Sequence, residues 1–506
     1  MKKAISIGIQ GFSALREQDC FFVDKTNFIK EWWENRDVVT LITRPRRFGK
    51  TLNMSMLECF FSNKYANRAD LFEGLSIWQE EAYRKLQGSY PVIFLSFAAV
   101  KAGNLEDAKT QIKQEIARLY RENRNLMKED IFGEDERELY YQTTVKMDDV
   151  TAQDSLRNLS EWMERYYGKK VIILLDEYDT PMQEAYVQGY WDEFTAFVRS
   201  LFNASFKTNP YLERAIMTGI TRVSKESIFS DLNNLQVITT TSDLYADCFG
   251  FTESEVFHVL DEFGMGDKKD EVKQWYDGFT FGEHKDIYNP WSITNYLDKR
   301  KTYPYWASTS SNGLVSRLIR TASADVKEKM EDLLNGREIV VSFDEQIVYN
   351  QLDHNENAIW SLLLASGYLK VKHVDYRGIT REPWYTLDIT NIETLSMFTT
   401  MFQDWFQNQD ANYGYFMKAL INGDLEAMNY YMNKVALATF SYFDVGSGNG
   451  SDPEPERFYH GFVLGLIAER AGIYEIRSNR ESGFGRYDIM MIPQEREKYP
   501  AIIIEF

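Results

Sequence analysis

One segment near the N-terminus restricts the fold of this chain more than any other, because it joins a strand pattern to a helix pattern through a glycine-bearing loop. The β-branched run DVVTLIT (37–43) predicts a buried parallel strand. The apolar residues of GKTLNMSMLECFFS recur at helical spacing and predict a helix over 49–62. The loop RPRRFGKT (44–51) lies between them. Strand, loop and helix in this order predict a phosphate-binding loop.

The loop departs from the usual pattern G-x-x-x-x-G-K-[ST] at its first position, where Arg44 replaces glycine. The other residues that the phosphate-binding pattern requires are present. Backbone N–H groups at the helix start cradle phosphates, and Gly49 allows their close approach. Lys50 reaches the terminal phosphates, and the hydroxyl of Thr51 ligates Mg²⁺. A G-K-[ST] tripeptide also arises by chance in about a quarter of chains this long, so the hypothesis needs a second signal.

The second signal is a pair of acids at the end of an apolar run, in KKVIILLDEYDTP (169–181). Parallel strands bind ligands at their carboxyl ends. In P-loop enzymes the first acid, here Asp176, holds Mg²⁺, and the adjacent Glu177 orients the attacking water. The alternative is a strand that ends in a solvated acidic turn. The phosphate loop and the acids together favour a nucleotide site.

A third strand pattern, ERAIMTGITRVSK (213–225), brings two more polar groups to the same edge. Thr218 at its tip can contact the attacking water or the γ-phosphate, and Arg222 can stabilise phosphoryl charge. A surface arginine on a loop is the alternative for Arg222. YPVIFLSF (90–97) predicts another strand, and amphipathic helices are predicted near 105–125 and 154–167. Alternating strands and helices predict an α/β fold with a doubly wound parallel sheet.

The middle of the chain, residues 250–380, predicts a helical lid without a catalytic constellation. FTESEV predicts a helix start with a capping box, in which Glu255 follows Thr252 by three residues. WYDGFTFG predicts a hairpin whose turn is Asp277-Gly278, with aromatic rings in core packing or against a base. IWSLLLASGYLKV (359–371) predicts a helix that runs into a strand, as in winged-helix lids.

The C-terminal part carries acids at a spacing suited to a metal site. Its pattern predicts a helix over 457–471, a strand over 473–478, a tight turn over 481–485, a strand carrying Asp488 and a final strand ending at Glu505-Phe506. Two acids on neighbouring strands, with Glu469 from the helix, can hold Mg²⁺ through oxygen ligands. The alternative is a structural hairpin with solvated acids.

Over most of its length the chain resembles the bacterial AAA-ATPase-like family, in which R-P-R-R-F-G-K-T is the usual form of the loop. The segments that carry the resemblance are FFVDKTNFI, LITRPRRFGKTLNMSML, ILLDEYDTP, TGITRVS, CFGFTESEV, WYDGFTFG and YNPWSI. The resemblance implies an ASCE-type NTPase related to AAA+ and STAND ATPases, with VDKT near the base and metal and hydrolysis roles for Asp176 and Glu177. It also implies nucleotide contacts at Arg46, Arg47, Phe48, Gly49, Lys50 and Thr51.

The C-terminal segment resembles the PD-(D/E)XK nuclease superfamily, whose motif reads D…E-x-K. Asp488 and Glu505 match the two acids, and Glu469 matches the helical acid. The lysine of the motif would follow Phe506, so we expect a truncated chain that lacks one of three catalytic groups. An inactive nuclease fold used for binding is the other interpretation.

Length and charge limit the remaining possibilities. A chain of 506 residues predicts two or three domains, which we assign to 1–248, 249–380 and 381–506. A net charge of −19 excludes a protein that coats nucleic acid over a broad surface, although a local basic patch is compatible with it. We expect no membrane span and, from three separated cysteines, a reducing cytoplasm. Five scattered histidines favour a metal with oxygen ligands.

Three functions are compatible with these features. The leading hypothesis is an ATP- and Mg²⁺-dependent NTPase coupled to a metal-dependent nuclease that acts on DNA or RNA, in defence or mobile-element biology. The second is a STAND-like switch whose nuclease-like domain only binds a partner or nucleic acid. The third is a scaffold with an inactive P-loop, which the intact Lys50-Thr51 and Asp176-Glu177 pairs disfavour. An oligomer is compatible with each of them.

Overall fold

The protein divides into two compact units in the computed structural model. The first comprises residues 1–306 and 343–370, and the second comprises 307–342 and 371–506. The division at 248 and 380 remains a prediction. The described residues are 3–128, 131–222, 229, 232–307, 313–334, 336–345, 349, 352, 355–407, 413–430, 463, 467, 473–482 and 485–505.

A five-stranded parallel sheet forms the centre of the first unit. Its strands are β1 Val39–Thr43, β2 Val92–Ser96, β3 Val171–Asp176, β4 Leu212–Gly219 and β5 Leu235–Ile238. Their order is β2-β3-β4-β1-β5, so β4 separates the strand before the phosphate loop from the strand that ends in the acids. β1 and β3 are buried along their whole length, as their apolar runs require. The predicted α/β fold is confirmed.

Helices pack around this sheet, and three of them, α3, α5 and α7, lie where the apolar periodicity predicts. Asp148 caps the start of α7 with its side chain, and Gly168 ends it in the left-handed conformation. The helices of this part are α1 Phe12–Glu17, α2 Asn27–Asn35, α3 Lys50–Phe61, α4 Glu81–Leu86, α5 Leu105–Glu122, α6 Glu134–Gln142, α7 Asp149–Tyr167, α8 Thr180–Gln188 and α9 Trp191–Phe202.

The first unit continues with a small antiparallel sheet and four helices. The strands are β6 Phe251–Thr252, β7 Phe279–Phe281 and β8 His284–Tyr288, in the order β6-β8-β7. The helices are α10 Glu253–Glu262, α11 Lys269–Tyr276, α12 Pro290–Lys299 and, after the excursion into the second unit, α15 Ala358–Ala365. The capping box at Thr252 and Glu255 is confirmed.

The predicted hairpin turn at Asp277-Gly278 is wrong, because these residues precede β7 and the turn lies at 282–283. Asp243 fixes the observed turn by accepting a hydrogen bond from the backbone N–H of Glu283 at 2.7 Å. Gly282 has φ 55°, and a Cβ there would lie 2.2 Å from an Asp243 carboxylate oxygen. Glycine is therefore required at 282, where the turn lies.

The described residues of the second unit form two three-stranded sheets. One has the order β10-β11-β9 and the other the order β12-β13-β14. The strands are β9 Ile339–Val341, β10 Leu369–Arg377, β11 Glu382–Ile389, β12 Tyr474–Ser482, β13 Gly485–Pro493 and β14 Ile502–Ile504. The helices are α13 Gly313–Thr321, α14 Ala324–Leu334, α16 Ile392–Gln407 and α17 Tyr413–Asn422. None of the helices that the structure describes combines the length and apolar character that a membrane span needs.

Candidate functional site

The phosphate loop connects β1 to α3, as predicted, and its lysine folds back onto it. Gly49 precedes the helix with φ 80°, a conformation that glycine adopts without strain. The Lys50 amine donates to the backbone carbonyls of Arg44 and Pro45, both at 2.9 Å. Burial lowers the pKa of Lys50, and the carboxylates of Glu177 and its neighbours oppose this shift. The Lys50 amine is therefore buried against the phosphate loop and lies near the carboxylates of Glu177, Asp179 and Asp176.

Arg44, which replaces the first glycine, is a buried side chain directed away from the lysine. Its guanidinium donates to the carbonyl of Thr239 at 2.6 Å and lies within 3.5 Å of the carbonyl of Tyr245. It also lies 4.4 Å from the ring centre of Phe281. Burial lowers the pKa of Arg44 to about 9. The arginine thus ties the start of the loop to the segment after β5.

Arg47 and Phe48 of the loop pack against aromatic rings of α12 and of the small sheet. Arg47, at φ 65°, places its guanidinium 4.4 Å from the ring centre of Trp291. Phe48 is buried, with its ring centre 4.7 Å from that of Phe279 and 5.4 Å from that of Phe281. A nucleotide contact by Phe48 would therefore use its backbone.

The top of the loop is held through the backbone carbonyl of Arg46. The side-chain amide of Asn289 donates to this oxygen at 3.3 Å, and the indole N–H of Trp306 donates at 3.0 Å. Asn289 also caps α12 by accepting from the N–H groups of Trp291 and Ser292. The motifs YNPWSI and WYDGFTFG thus contact the loop, a role that the sequence analysis missed.

Two of the predicted metal residues, Thr51 and Asp176, meet beside Thr218 at the carboxyl edge of the sheet. The Thr51 hydroxyl donates to one carboxylate oxygen of Asp176 at 2.7 Å, and the Thr218 hydroxyl donates to the other. Burial raises the pKa of Asp176, while the two hydrogen bonds oppose this rise. Two hydroxyls, from α3 and β4, therefore contact the buried carboxylate at the end of β3, and all three groups are oxygen donors of the kind that a hard cation prefers.

Glu177 and Arg222 flank this carboxylate in the chain. Glu177 is half-buried with φ 51°, and its carboxylate accepts a hydrogen bond from the Thr180 hydroxyl at 3.2 Å. A left-handed non-glycine residue is strained, and such residues cluster at functional sites. Arg222 is half-buried and lies just before the undescribed residues 223–228. The roles of both residues remain predictions.

The polar side chains of the VDKT motif (23–26) form hydrogen bonds within the fold. Both carboxylate oxygens of Asp24 are used: one accepts from Thr26, and the other accepts from the N–H and hydroxyl of Ser76 at 2.7 Å each. Lys25 donates to Glu255, the residue of the capping box, at 2.7 Å. Two of the quoted motifs are thus joined by an ion pair. A place near the base for VDKT remains a prediction.

The two C-terminal acids lie opposite each other in the sheet of the second unit. β13 and β14 pair Ile489 with Ile504 and Met490 with Ile503, so the same register continued by one step pairs Asp488 with Glu505. Directly opposite residues have Cβ atoms about 4.5–5.5 Å apart. Ile489 and Ile504 face the core, so by alternation the acids share the other face. Glu469 lies outside the described residues.

Other acids in the described part of the chain also approach one another. Glu253, Asp277 and Asp286 lie with one oxygen each within 4.8 Å of the others, and so do ligand atoms of Glu31, Asp247 and Cys248. Lys273 contacts Glu253 and lies 4.0 Å from Asp277. These clusters are distinct from the acids that the sequence analysis assigned to metal binding.

Comparison with known proteins agrees with both resemblances. Residues 6–229 match the model of the AAA-ATPase-like family, described as a predicted AAA-ATPase. Residues 454–506 match the model of the PD-(D/E)XK nuclease superfamily. The chain is also 27% identical over 398 residues to the protein "Uncharacterized protein in vnfD 5'region" of Azotobacter chroococcum mcd 1, an alignment that covers 78% of this chain and 68% of that protein. The two-domain resemblance read from the sequence is confirmed.

Proposed function

We propose that this chain, which combines an AAA-ATPase-like domain with a PD-(D/E)XK nuclease superfamily domain, binds and hydrolyses ATP in its first unit. The observation that carries the proposal is the hydrogen bond of 2.7 Å between the Thr51 hydroxyl and the Asp176 carboxylate, beside the Lys50 amine. Lys50 and Thr51 begin α3 after the loop that follows β1, whereas Asp176 ends β3, and β1 and β3 are not neighbours in the sheet. Such convergence is expected of a nucleotide site.

The residues divide into phosphate, metal and hydrolysis roles. The Lys50 amine exchanges its two carbonyl partners for phosphate oxygens, while the N–H groups from Arg46 to Thr51 surround the phosphates. The Thr51 hydroxyl and the Asp176 carboxylate fit Mg²⁺, because both are oxygen donors to a hard cation. When bound, that ion neutralises phosphate charge.

Hydrolysis then depends on residues at the edges of the site. Glu177, next to Asp176 at the end of β3, orients the attacking water. Thr218 contacts the water or the terminal phosphate, and Arg222 stabilises the charge that develops on the phosphoryl group. The nucleotide contacts that we propose are Arg46, Arg47, Phe48, Gly49, Lys50 and Thr51.

In the second unit we propose a Mg²⁺-dependent nuclease that cleaves DNA or RNA. The support is the opposed position of Asp488 and Glu505 in the register of β13 and β14, since two carboxylates on one face can share a divalent cation. Glu469 is the third proposed ligand. A defence or mobile-element role in the bacterial cytoplasm would couple the two activities.

A nucleotide-controlled switch is the second candidate function. The side-chain contacts that fix the phosphate loop favour it. Contacts from Asn289, Trp306 and Trp291 fix the loop, so a change in the loop on nucleotide binding must be transmitted to α12 and the small sheet. In that case the nuclease-like domain binds a partner or nucleic acid without cleaving it.

Steady-state assays on the full chain test the proposal. We expect Mg²⁺-dependent release of phosphate from ATP, abolished in Lys50→Ala, and cleavage of DNA or RNA that is lost in Asp488→Ala. Slow turnover with nucleotide retained through purification and no cleavage would favour the switch. A chain that neither binds nor hydrolyses ATP would refute the proposal for the first unit.

A further inference from the structure

Tyr178 and Asp179 of DEYDTP hold the loop that follows β4. Asp179 is buried, and one of its carboxylate oxygens accepts from the N–H groups of Ile220 and Thr221, both at 2.8 Å, and from the Thr221 hydroxyl at 2.9 Å. Tyr178 donates to the Thr221 carbonyl at 2.7 Å. A Cβ at Gly219 would lie 2.7 Å from both side chains. This loop is therefore fixed tightly against the end of β3.

The same threonine also contacts a distant part of the chain. The Thr221 hydroxyl lies 3.1 Å from the hydroxyl of Tyr349, which is buried. The ring of Tyr349 packs on Tyr186 and Trp191, with ring centres 5.3 and 5.4 Å away. Tyr349 belongs to residues 343–370 of the first unit. In the sequence, this segment lies between the two parts of the second unit, 307–342 and 371–506.

This segment also contacts the two other loops around the candidate site. The carboxylate of Glu345 accepts from the Thr239 and Thr241 hydroxyls at 3.0 and 2.7 Å. A Cβ at Gly367 would lie 2.7 Å from the Pro45 ring. Residues 343–370 thus contact the phosphate loop, the segment that binds Arg44 and the loop after β4.

We propose that Asp179 and Tyr349 act through Thr221 as positioning residues for nucleotide hydrolysis, Asp179 by fixing the backbone of the loop after β4 and Tyr349 by fixing the Thr221 side chain. The inference rests on the proposed ATPase function. Thr218, near the end of β4, contacts Asp176, and the loop that follows leads to Arg222. A small shift of this loop misplaces the groups that face the reacting phosphate, and such misplacement lowers kcat strongly.

The contact between the Tyr349 and Thr221 hydroxyls allows a sharp test, because either hydroxyl can be removed while the rest of the side chain stays in place. Tyr349→Phe retains the packing on Tyr186 and Trp191, and Thr221→Val removes the Thr221 hydroxyl, whereas Thr221→Ser keeps it. We expect kcat for ATP to fall about tenfold in Tyr349→Phe and further in Thr221→Val, while Thr221→Ser stays within about twofold of the unmodified chain. The dissociation constant for ATP should change by less than about twofold in each.

Tyr120→Phe is the matched control. The Tyr120 hydroxyl is also buried and donates to a backbone carbonyl, that of Ser155, at 2.8 Å, on helices outside the site. This variant should lose a similar amount of thermal stability and keep its kcat. The double variant Tyr349→Phe/Thr221→Val should be no slower than Thr221→Val, because both changes remove the same contact.

The outcomes separate this inference from the proposed function. A lower kcat with unchanged ATP affinity in Tyr349→Phe, absent in Tyr120→Phe, supports it. If the unmodified chain hydrolyses ATP and Tyr349→Phe hydrolyses it equally fast, the inference is overturned and the ATPase proposal stands. If the unmodified chain has no ATPase activity, both are overturned. Should Tyr349→Phe fail to fold, the contrast between Thr221→Val and Thr221→Ser decides: equal kcat values overturn the inference.

Discussion

The side-chain amide of Asn289 donates a hydrogen bond to the backbone carbonyl of Arg46, at the top of the phosphate loop, from 243 positions along the chain. The indole of Trp306 donates to the same oxygen. Because a carbonyl oxygen accepts two hydrogen bonds, this group is saturated. The shape of the phosphate loop therefore depends on side chains outside the five-stranded sheet.

Replacing Asn289 by aspartate tests this dependence. Asn289→Asp keeps the oxygen that caps α12 but loses the N–H donor to Arg46 and directs a carboxylate at a carbonyl. We expect ATP affinity to fall about fivefold or more, since a lost hydrogen bond costs about 1 kcal/mol and the repulsion adds to it. Equilibrium titration with a fluorescent ATP analogue measures the change, and unaltered affinity would contradict the role of Asn289.

A pair of tryptophan variants isolates the second donor. Trp306→Phe removes the indole N–H that reaches Arg46 and should weaken ATP binding about threefold, by the loss of one hydrogen bond of about 0.7 kcal/mol. Trp360 is also fully buried, but its indole N–H has no hydrogen-bond acceptor in the described part of the chain. Trp360→Phe should therefore leave the affinity unchanged. Equal effects of the two variants would indicate general loss of packing.

Replacing Arg44 by the glycine that is usual at this position should destabilise the protein. Arg44→Gly leaves the carbonyls of Thr239 and Tyr245 without their donor and empties a buried volume, so we expect a loss of about 2–4 kcal/mol in the free energy of unfolding. Arg47→Gly is the matched control. It loses only a stacking contact and places glycine at φ 65°. Urea denaturation compares them, and equal stabilities would show that Arg44 is not structural.

The acid cluster at Asp277 predicts a pH dependence of stability. Burial, with the neighbouring charge of Asp286, raises the pKa of Asp277 from 3.8 to about 7. A raised carboxyl pKa stabilises the fold below pH 4, and this contribution is lost as the pH rises through about 7. Asp277→Asn should therefore raise Tm by about 1–3 °C at pH 8 and by less at pH 5. Melting curves at both values test this; the same Tm difference at pH 5 and pH 8 would contradict it.

Much of the fold follows from the sequence because the relevant interactions are local. The apolar runs of β1 and β3 predict buried strands, and the loop between 44 and 51 is followed by α3 at the predicted place. The acids at 176 and 177 lie at the end of a strand, so their approach to Thr51 follows from the common edge of a parallel sheet. Pattern and spacing are sufficient for these features.

Features that depend on partners far away in the sequence could not be predicted from it. The hairpin turn lies at 282–283, where Gly282 has φ 55° and where Asp243, 40 positions away, accepts the N–H of Glu283. The links from Arg46 to Asn289 and from Thr221 to Tyr349 join residues 243 and 128 positions apart. Arg44 looked like a departure from a phosphate-binding pattern, and its buried contacts to carbonyls become visible only when β5 and the following segment are in place.

The most direct test of the proposed ATPase compares Glu177→Gln with Lys50→Ala in paired measurements of ATP binding and of phosphate release. The account predicts that Glu177→Gln binds ATP within about threefold of the unmodified affinity but releases phosphate at least about 100-fold more slowly, because water orientation acts in the transition state. Lys50→Ala should lose both binding and hydrolysis. Phosphate release by Glu177→Gln at the unmodified rate, or unchanged ATP affinity in Lys50→Ala, would contradict the central claim.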